Sequence, residues 1–408
     1  MLLPTTTYRA HDFIRAATRL GAETVVGSDQ RQALQDLQPT RGLTIELRDP
    51  DKAAEQIVAF ATQNPVSAVI QSDDETAVVA AVASARLDLP HNPPEAARAA
   101  RRKDELRRIL RAARVPTPAH EVFTLDDDPA SVASGRRYPV VLKPTFLAAS
   151  RGVIRADNPE QFVAAFRRIG ALLGLADVKE KGGDAARMIL VEDFVPGSEV
   201  AVEGLLIRGQ LKVLAIFDKP DPLDGPYFEE TLYVTPSRLE APVQHAIATT
   251  TAETARALGL REGPIHAELR VNERGPWLIE MAARSIGGLC SRVLRFGTGR
   301  SLEEVILMHA LGREVEDLQR EPRPAGVMMI PIPRAGILQG VSGMREARNV
   351  PGVDDITISA TIGRPLVPLP EAASYLGFIF ARGDSPALVE AALREAHRLL
   401  RFDTEPVD

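Results

Sequence analysis

Residues 266–284, HAELRVNERGPWLIEMAAR, place a histidine, two glutamates and an arginine around a short turn. Strand alternation decides which of them meet. In IHAELRV the residues Ile265, Ala267, Leu269 and Val271 share one face, and His266, Glu268 and Arg270 share the other. In WLIEMA the apolar set is Trp277, Ile279 and Met281, opposed by Leu278, Glu280 and Ala282. With Glu273, Arg274 and Gly275 as a three-residue turn, Asn272 meets Pro276, Arg270 meets Leu278, Glu268 meets Glu280 and His266 meets Ala282. Facing carboxylates disfavour a sheet by about 0.2–1 kcal/mol. A hard divalent cation reverses that sign, because magnesium takes carboxylate oxygens alongside nucleotide phosphates. Solvent screening, or a proton retained by one glutamate, would relieve it as well.

Two further stretches carry chemistry of the same kind. Lys143 ends the strand-like YPVVLKP and is followed by a loop with Ser150, Arg151 and Gly152, a sensible cradle for phosphate. It is not a Walker A loop, and a strand-end lysine can equally reach solvent. In LVEDFVPGSEVAVEG, Glu192, Asp193, Phe194 and Val195 form a connecting segment able to offer backbone groups and walls to a base. Glu199 follows at a spacing suited to ribose hydroxyls, although an ordinary strand–turn–strand reads the same way. No GxSxG elbow or Cys/His pair is present, and the single cysteine, Cys290, reads as a packed thiol.

These residues need a scaffold of mixed α/β and α+β character. The first ninety residues alternate strand-like runs (23–28, 42–47, 66–72) with helical ones (9–21, 51–63), the pattern of a parallel, Rossmann-like sheet. LPHNPPEAAR, with its three prolines, marks a boundary, and a basic helix over 96–118 follows, read mainly as a solvated face. A strand at 138–144, a helix from Pro159 to Leu173 and a polar, glycine-bearing loop at 175–187 precede three strands and the hairpin. The last hundred residues add a helix near 301–311 and an α+β segment. The expected domains are 1–94, Rossmann-like; 95–300, with a lid over about 115–195; and 301–408, α+β.

The chain has 408 residues, 45% of them hydrophobic, which calls for more than one core. A formal charge of −6 argues against nucleic acid as a partner. No apolar run spans a membrane, and the N-terminus lacks a basic start followed by an apolar core, so a cytoplasmic location with no membrane partner is expected.

Taken together and in order, YPVVLKP…SRGV, VEDFVPGSEVAVEG and HAEL…GPWLIEMAAR resemble the ATP-grasp superfamily, over roughly residues 95–300. Within it the chain looks most like the carboxylate–amine ligases of the L-amino-acid (dipeptide) ligase group, which FDKPDPLDGPYFEETLYVTPSRL and the C-terminal extension also resemble. The resemblance implies an ATP-grasp fold and an ATP-dependent, ADP-forming ligase. It would activate a small carboxylate as an acyl phosphate and pass it to an amine, with magnesium, or manganese in its place, as the ion. It assigns Lys103 and Lys143 to ATP phosphates under the 145–153 loop with its Ser150, Arg151 and Gly152, Glu192 to Val195 to adenine and Glu199 to ribose. Glu268 and Glu280 would hold the metal, and Arg284 would offset charge on the transferring phosphate. His266, Tyr227, Glu230, Ser285, Gly287 and Gly288 fall on the substrate side, and a homodimer is the implied assembly. Ala282 stands where the superfamily often has asparagine, which removes one ligand for a second ion. A purine-pathway ligase, a biotin-carboxylase-like enzyme and a nucleotide-binding module without turnover share much of this pattern.

Overall fold

The computed structural model describes residues 1–4, 7, 9–30, 41–315, 317–372 and 374–406. In the N-terminal region α1 (Ala10–Arg19) precedes a parallel pair, β1 (Val25–Ser28) and β2 (Arg41–Thr44), with α2 (Pro50–Ala61) and α3 (Asp74–Arg86) packed on it. Asp49 caps α2 by accepting from the amides of Asp51 and Lys52, and Pro50 sits where no amide is needed. The strand expected at 66–72 does not form. Its Gln71 makes only an isolated parallel bridge to Leu2, which also bridges Gly27. The first residues of the chain therefore take the central position, with Leu2 N donating to Ile70 O at 2.7 Å.

The expected single basic helix is two, α4 (Pro94–Arg101) and α5 (Lys103–Ala113), broken at Arg102 (φ −101°, ψ 106°). The break matters to the site, because it lets Lys103 N donate to Thr145 O at 2.8 Å and seats α5 beside the loop after residue 144. Arg107, on its buried side, is fully enclosed rather than solvated.

The lid is a four-stranded sheet built from β3 (His120–Thr124), β4 (Val140–Pro144), β5 (Ile154–Ala156) and β6 (Met188–Asp193), in the order β3-β6-β4-β5. The short α6 (Pro129–Ala133) and α7 (Pro159–Leu173), capped by Asn158, pack against it through Phe162, Phe166 and Ile169. Residues 175–187, expected as a loop, are α8 (Ala176–Gly182) and a 3-10 turn, because Val178, Ala185 and Ala186 join the same core.

The second sheet has eight strands in the order β11-β10-β7-β8-β9-β12-β16-β14. β7 (Ser198–Ile207), β8 (Gln210–Lys219), β9 (Leu232–Thr235), β10 (Gly263–Asn272) and β11 (Gly275–Ala282) come from the middle of the chain, with α9 (Ala241–Leu258) behind them. After α10 (Leu302–Ala310) come β12 (Ala325–Ile330), β13 (Gly336–Ser342), α11 (Met344–Arg348), β14 (Val353–Ile358), β15 (Pro365–Leu366), β16 (Gly377–Arg382), α12 (Pro386–Leu399) and β17 (Arg401–Glu405). Three of these strands extend the main sheet, so the expected border near residue 300 falls between strands of one sheet. Among the described residues no helix is long and apolar enough to cross a membrane.

Candidate active site

A cavity of about 300 Å³ opens between the lid sheet and the hairpin end of the eight-stranded sheet, closed on a third side by the start of α3. On the hairpin, Glu268 lies opposite Glu280 and His266 opposite Ala282, as alternation requires. The turn differs from expectation. Asn272 pairs with Gly275, Arg270 with Trp277 and Leu269 with Leu278, and a bulge at Ile279 restores the register before Glu280. In consequence Leu278 joins the core and Ile279 faces the cavity. The carbonyl of Ile279 accepts from Arg107 Nη2 at 2.5 Å.

Each hairpin carboxylate already has a protein cation. Lys103 Nζ lies 3.0 Å from Glu280 and donates to Leu147 O at 2.7 Å. Glu268 lies 3.6 Å from Lys219 Nζ and 3.5 Å from His266 Nε2. Facing charge alone therefore does not demand a metal here. The donor set nonetheless fits one. Both groups are oxygen ligands, partly open to the cavity (21% and 30%), and their lysines stand where phosphate would also sit.

Lys219 ends β8 inside a cage of acids. Its ammonium bonds Glu199 at 2.8 Å and Glu230, and the three carboxylates of Glu199, Glu230 and Glu268 lie within 4.8 Å of one another. Burial alone would lower the Lys219 pKa, but the three acids outweigh it and raise it well above normal. Burial and Glu268 push Glu230 up to about 7. Burial also works against the charge on Glu268, yet Lys219 and His266 hold it below the carboxylate range.

His266 bridges Glu203 (Nδ1, 3.2 Å) and Glu268. Burial opposes its charge, but hydrogen bonds to the two acids prevail and push it up to about 9. Burial raises Glu203 too, so the pair keeps its proton to higher pH whichever partner carries it.

At the lid, Lys143 Nζ and Arg107 Nε each lie 2.5 Å from Glu192, all three buried. Burial works against the Glu192 charge, and the two cations outweigh it; burial lowers Lys143 despite its partner. Asp193, Phe194 and Val195 line the cavity, with the Val195 carbonyl occupied by Arg270 Nη1 at 2.9 Å. Both oxygens of Glu199 are engaged, by Lys219 and by Arg270.

Arg284 lines the cavity with its guanidinium held by Asp74 at 2.8 Å. Burial works against that charge, and Asp74 more than restores it. Ser150, Gly287 and Gly288 also line the cavity, and buried Cys290 packs at its wall.

Four expected site residues lie elsewhere. Arg151 Nε donates to Glu371 O at 2.7 Å, and Gly152 N to Pro370 O at 2.9 Å, so this part of the loop docks on the C-terminal region. Gly152 has φ +75°, and a Cβ there would meet Pro144 at 2.8 Å. Tyr227 is turned toward α7, where Arg168 lies over its ring at 5.2 Å. Ser285 is buried and accepts from Arg9 Nη1 at 2.7 Å.

Several residues were legible but overlooked. Arg107 lies one turn from Lys103 on the same helix, Arg270 shares the even face of His266 and Glu268, and Lys219 ends a strand as Lys143 does. Asp73 and Asp74 open a helix, an ordinary position for acids, and only the tertiary structure brings them to the cavity.

Comparison with known proteins matches the ATP-grasp N-terminal domain at residues 14–91, the ATP-grasp domain at 136–293 and the L-amino acid ligase C-terminal domain 2 at 328–405. The crystal structure of L-amino acid ligase from Bacillus licheniformis superposes with a TM-score of 0.81 at 25% identity, covering 99% of this chain and 98% of that one. Alanine--anticapsin ligase of Bacillus subtilis is 28% identical over 58% of this chain and 52% of its own length. Dapdiamide A synthase of Enterobacter agglomerans is 28% identical over 65% and 62%. The chain thus spans about half to two thirds of the length of these curated relatives.

Proposed function

Because this chain belongs to the ATP-grasp superfamily and carries an L-amino acid ligase C-terminal domain, we propose that it is an ATP-dependent ligase joining a small carboxylate to an amine, with an amino acid as substrate. The observation that carries this reading is one cavity lined at once by Glu268, Glu280, Lys103, Lys143 and Arg284.

The substrate carboxylate oxygen attacks the γ-phosphorus, the bond to the β-bridging oxygen breaks, and ADP leaves. The amine nitrogen, once its ammonium proton has passed to solvent, then attacks the acyl carbon. The bond from that carbon to the phosphate oxygen breaks and phosphate departs. The nitrogen's second proton goes to the phosphate or to solvent, and an amide remains. Lys103 and Lys143 hold the phosphates, and Arg284, kept charged by Asp74, offsets charge on the acyl phosphate. Glu268 and Glu280 would hold magnesium, which when bound supplies positive charge to the phosphate oxygens. Asp193, Phe194 and Val195 face the base, and the lid keeps water from the acyl phosphate.

The test is ADP release with amino acids supplied singly and in pairs, with mass analysis of the product. Release that needs an acid and an amine, and yields their amide, is the expected result. Dependence on bicarbonate, or nucleotide binding without turnover under any pair, would overturn the reading.

A further inference from the structure

An amino-acid nucleophile reaches the protein mainly as an ammonium ion, and the cavity it must enter is already rich in positive charge. Arg9, Lys103, Lys143, Arg270 and Arg284 all line it, and Lys219 stands against the lining acids Glu199, Glu230 and Glu268. An incoming cation needs a carboxylate that is not already paired.

The acids of the cavity can be sorted on that criterion. Glu192 is held by Lys143 and Arg107. Glu199 and Glu230 are held by Lys219, Glu268 by Lys219 and His266, Glu280 by Lys103, and Asp74 by Arg284. Asp193 has no cation partner among the described residues, but it lies on the lid at the end of β6 and is exposed. That leaves Asp73, a partly exposed cavity residue whose side chain has one partner among the described residues, the neutral hydroxyl of Ser72.

The position of Asp73 agrees with this. It precedes Asp74, so it stands beside the Arg284 guanidinium, to whose field it contributes. The acyl phosphate would form at Arg284, and the nucleophile must come up to that same carbon. Asp73 makes no side-chain cap to α3, so its carboxylate is not committed to the helix.

We propose that Asp73 receives the amine substrate, its carboxylate pairing with the incoming ammonium beside Arg284. This rests on the ligase reading above, and the N-terminal domain then contributes directly to choice of nucleophile. Amines that arrive as cations are bound through Asp73, and neutral nucleophiles do not need it.

Hydroxylamine separates the two ideas, because it is uncharged near neutral pH and attacks acyl phosphates directly. In the full-length protein, Asp73→Asn should raise the amine KM at least about tenfold while leaving the KM for ATP and the acid-dependent rate of hydroxamate formation near wild type. Asp73→Glu should recover part of the amine KM, and thermal melting should place all three proteins together. An unchanged amine KM in Asp73→Asn overturns the proposal. An equal loss of amide and hydroxamate also overturns it, since that is the signature of a structural role. If the wild-type protein forms no hydroxamate with any acid, the ligase reading itself fails and Asp73 has no amine to receive.

Discussion

Arg284 and Asp74 are 210 positions apart in the sequence and 2.8 Å apart in space. The pair fastens the exit of the hairpin to the first turn of α3 and holds a guanidinium at the cavity wall. Removing either member has a different consequence. Arg284→Ala should abolish substrate-dependent ADP release. Asp74→Asn keeps the cation but loosens it, and should lower kcat by about tenfold to a hundredfold with a few degrees lost in Tm. ADP release at wild-type rates in both variants would refute this role.

The hairpin carboxylates should set the response to metal. Glu268→Gln and Glu280→Gln should each raise the half-saturating magnesium concentration by about tenfold or more. Chelation should stop turnover of the wild-type protein, and added magnesium should restore it. Magnesium titrations that superpose for wild type and both variants would show that these groups do not hold the ion.

His266 gives a pH dependence of definite sign. Its value in the folded chain, about 9, stands above the ordinary 6.5. Its contribution to stability is therefore complete below about pH 6.5 and lost as the pH rises through about 9. In chelator-treated protein, the Tm of wild type should fall across that window more steeply than that of His266→Gln. Parallel curves would show that the imidazolium bridge adds nothing.

Gly197 fixes the turn that delivers Glu199 to the cavity. Its φ is +123°, and a Cβ would fall 2.2 Å from the Val271 carbonyl oxygen. Gly197→Ala should cost at least about 2 kcal/mol, because strain and backbone overlap act together. Gly209→Ala is the control, with φ +80° and nothing within 4 Å, where only strain of about 1 kcal/mol applies. Equal melting shifts for the two would remove the steric argument.

Local periodicity carried much of the site. Alternation placed His266, Glu268 and Arg270 on one face, and the Glu268–Glu280 pair formed as expected. It formed, however, through two departures that cancel, a shorter turn and a bulge at Ile279, neither of which alternation encodes. Residues 175–187 look like a loop because they are polar and carry glycine, and they became helical when Val178, Ala185 and Ala186 found the lid core. The partners of the charged groups were the least legible. Nothing local says that Lys219 meets three acids, or that Arg151 turns away toward Glu371. Those pairings are long-range, and an identical side chain at a strand end or in a loop serves many ends.

The strands of the last hundred residues are woven into the same fabric as the hairpin, with β12 laid directly along β9. A protein ended near residue 300 would leave β9 with a bare rim of amides and carbonyls, an adhesive border that invites other chains to attach. Exchanging C-terminal regions between relatives at that seam should thus yield insoluble products, whereas grafts that carry β9 along with β12 keep the weave whole.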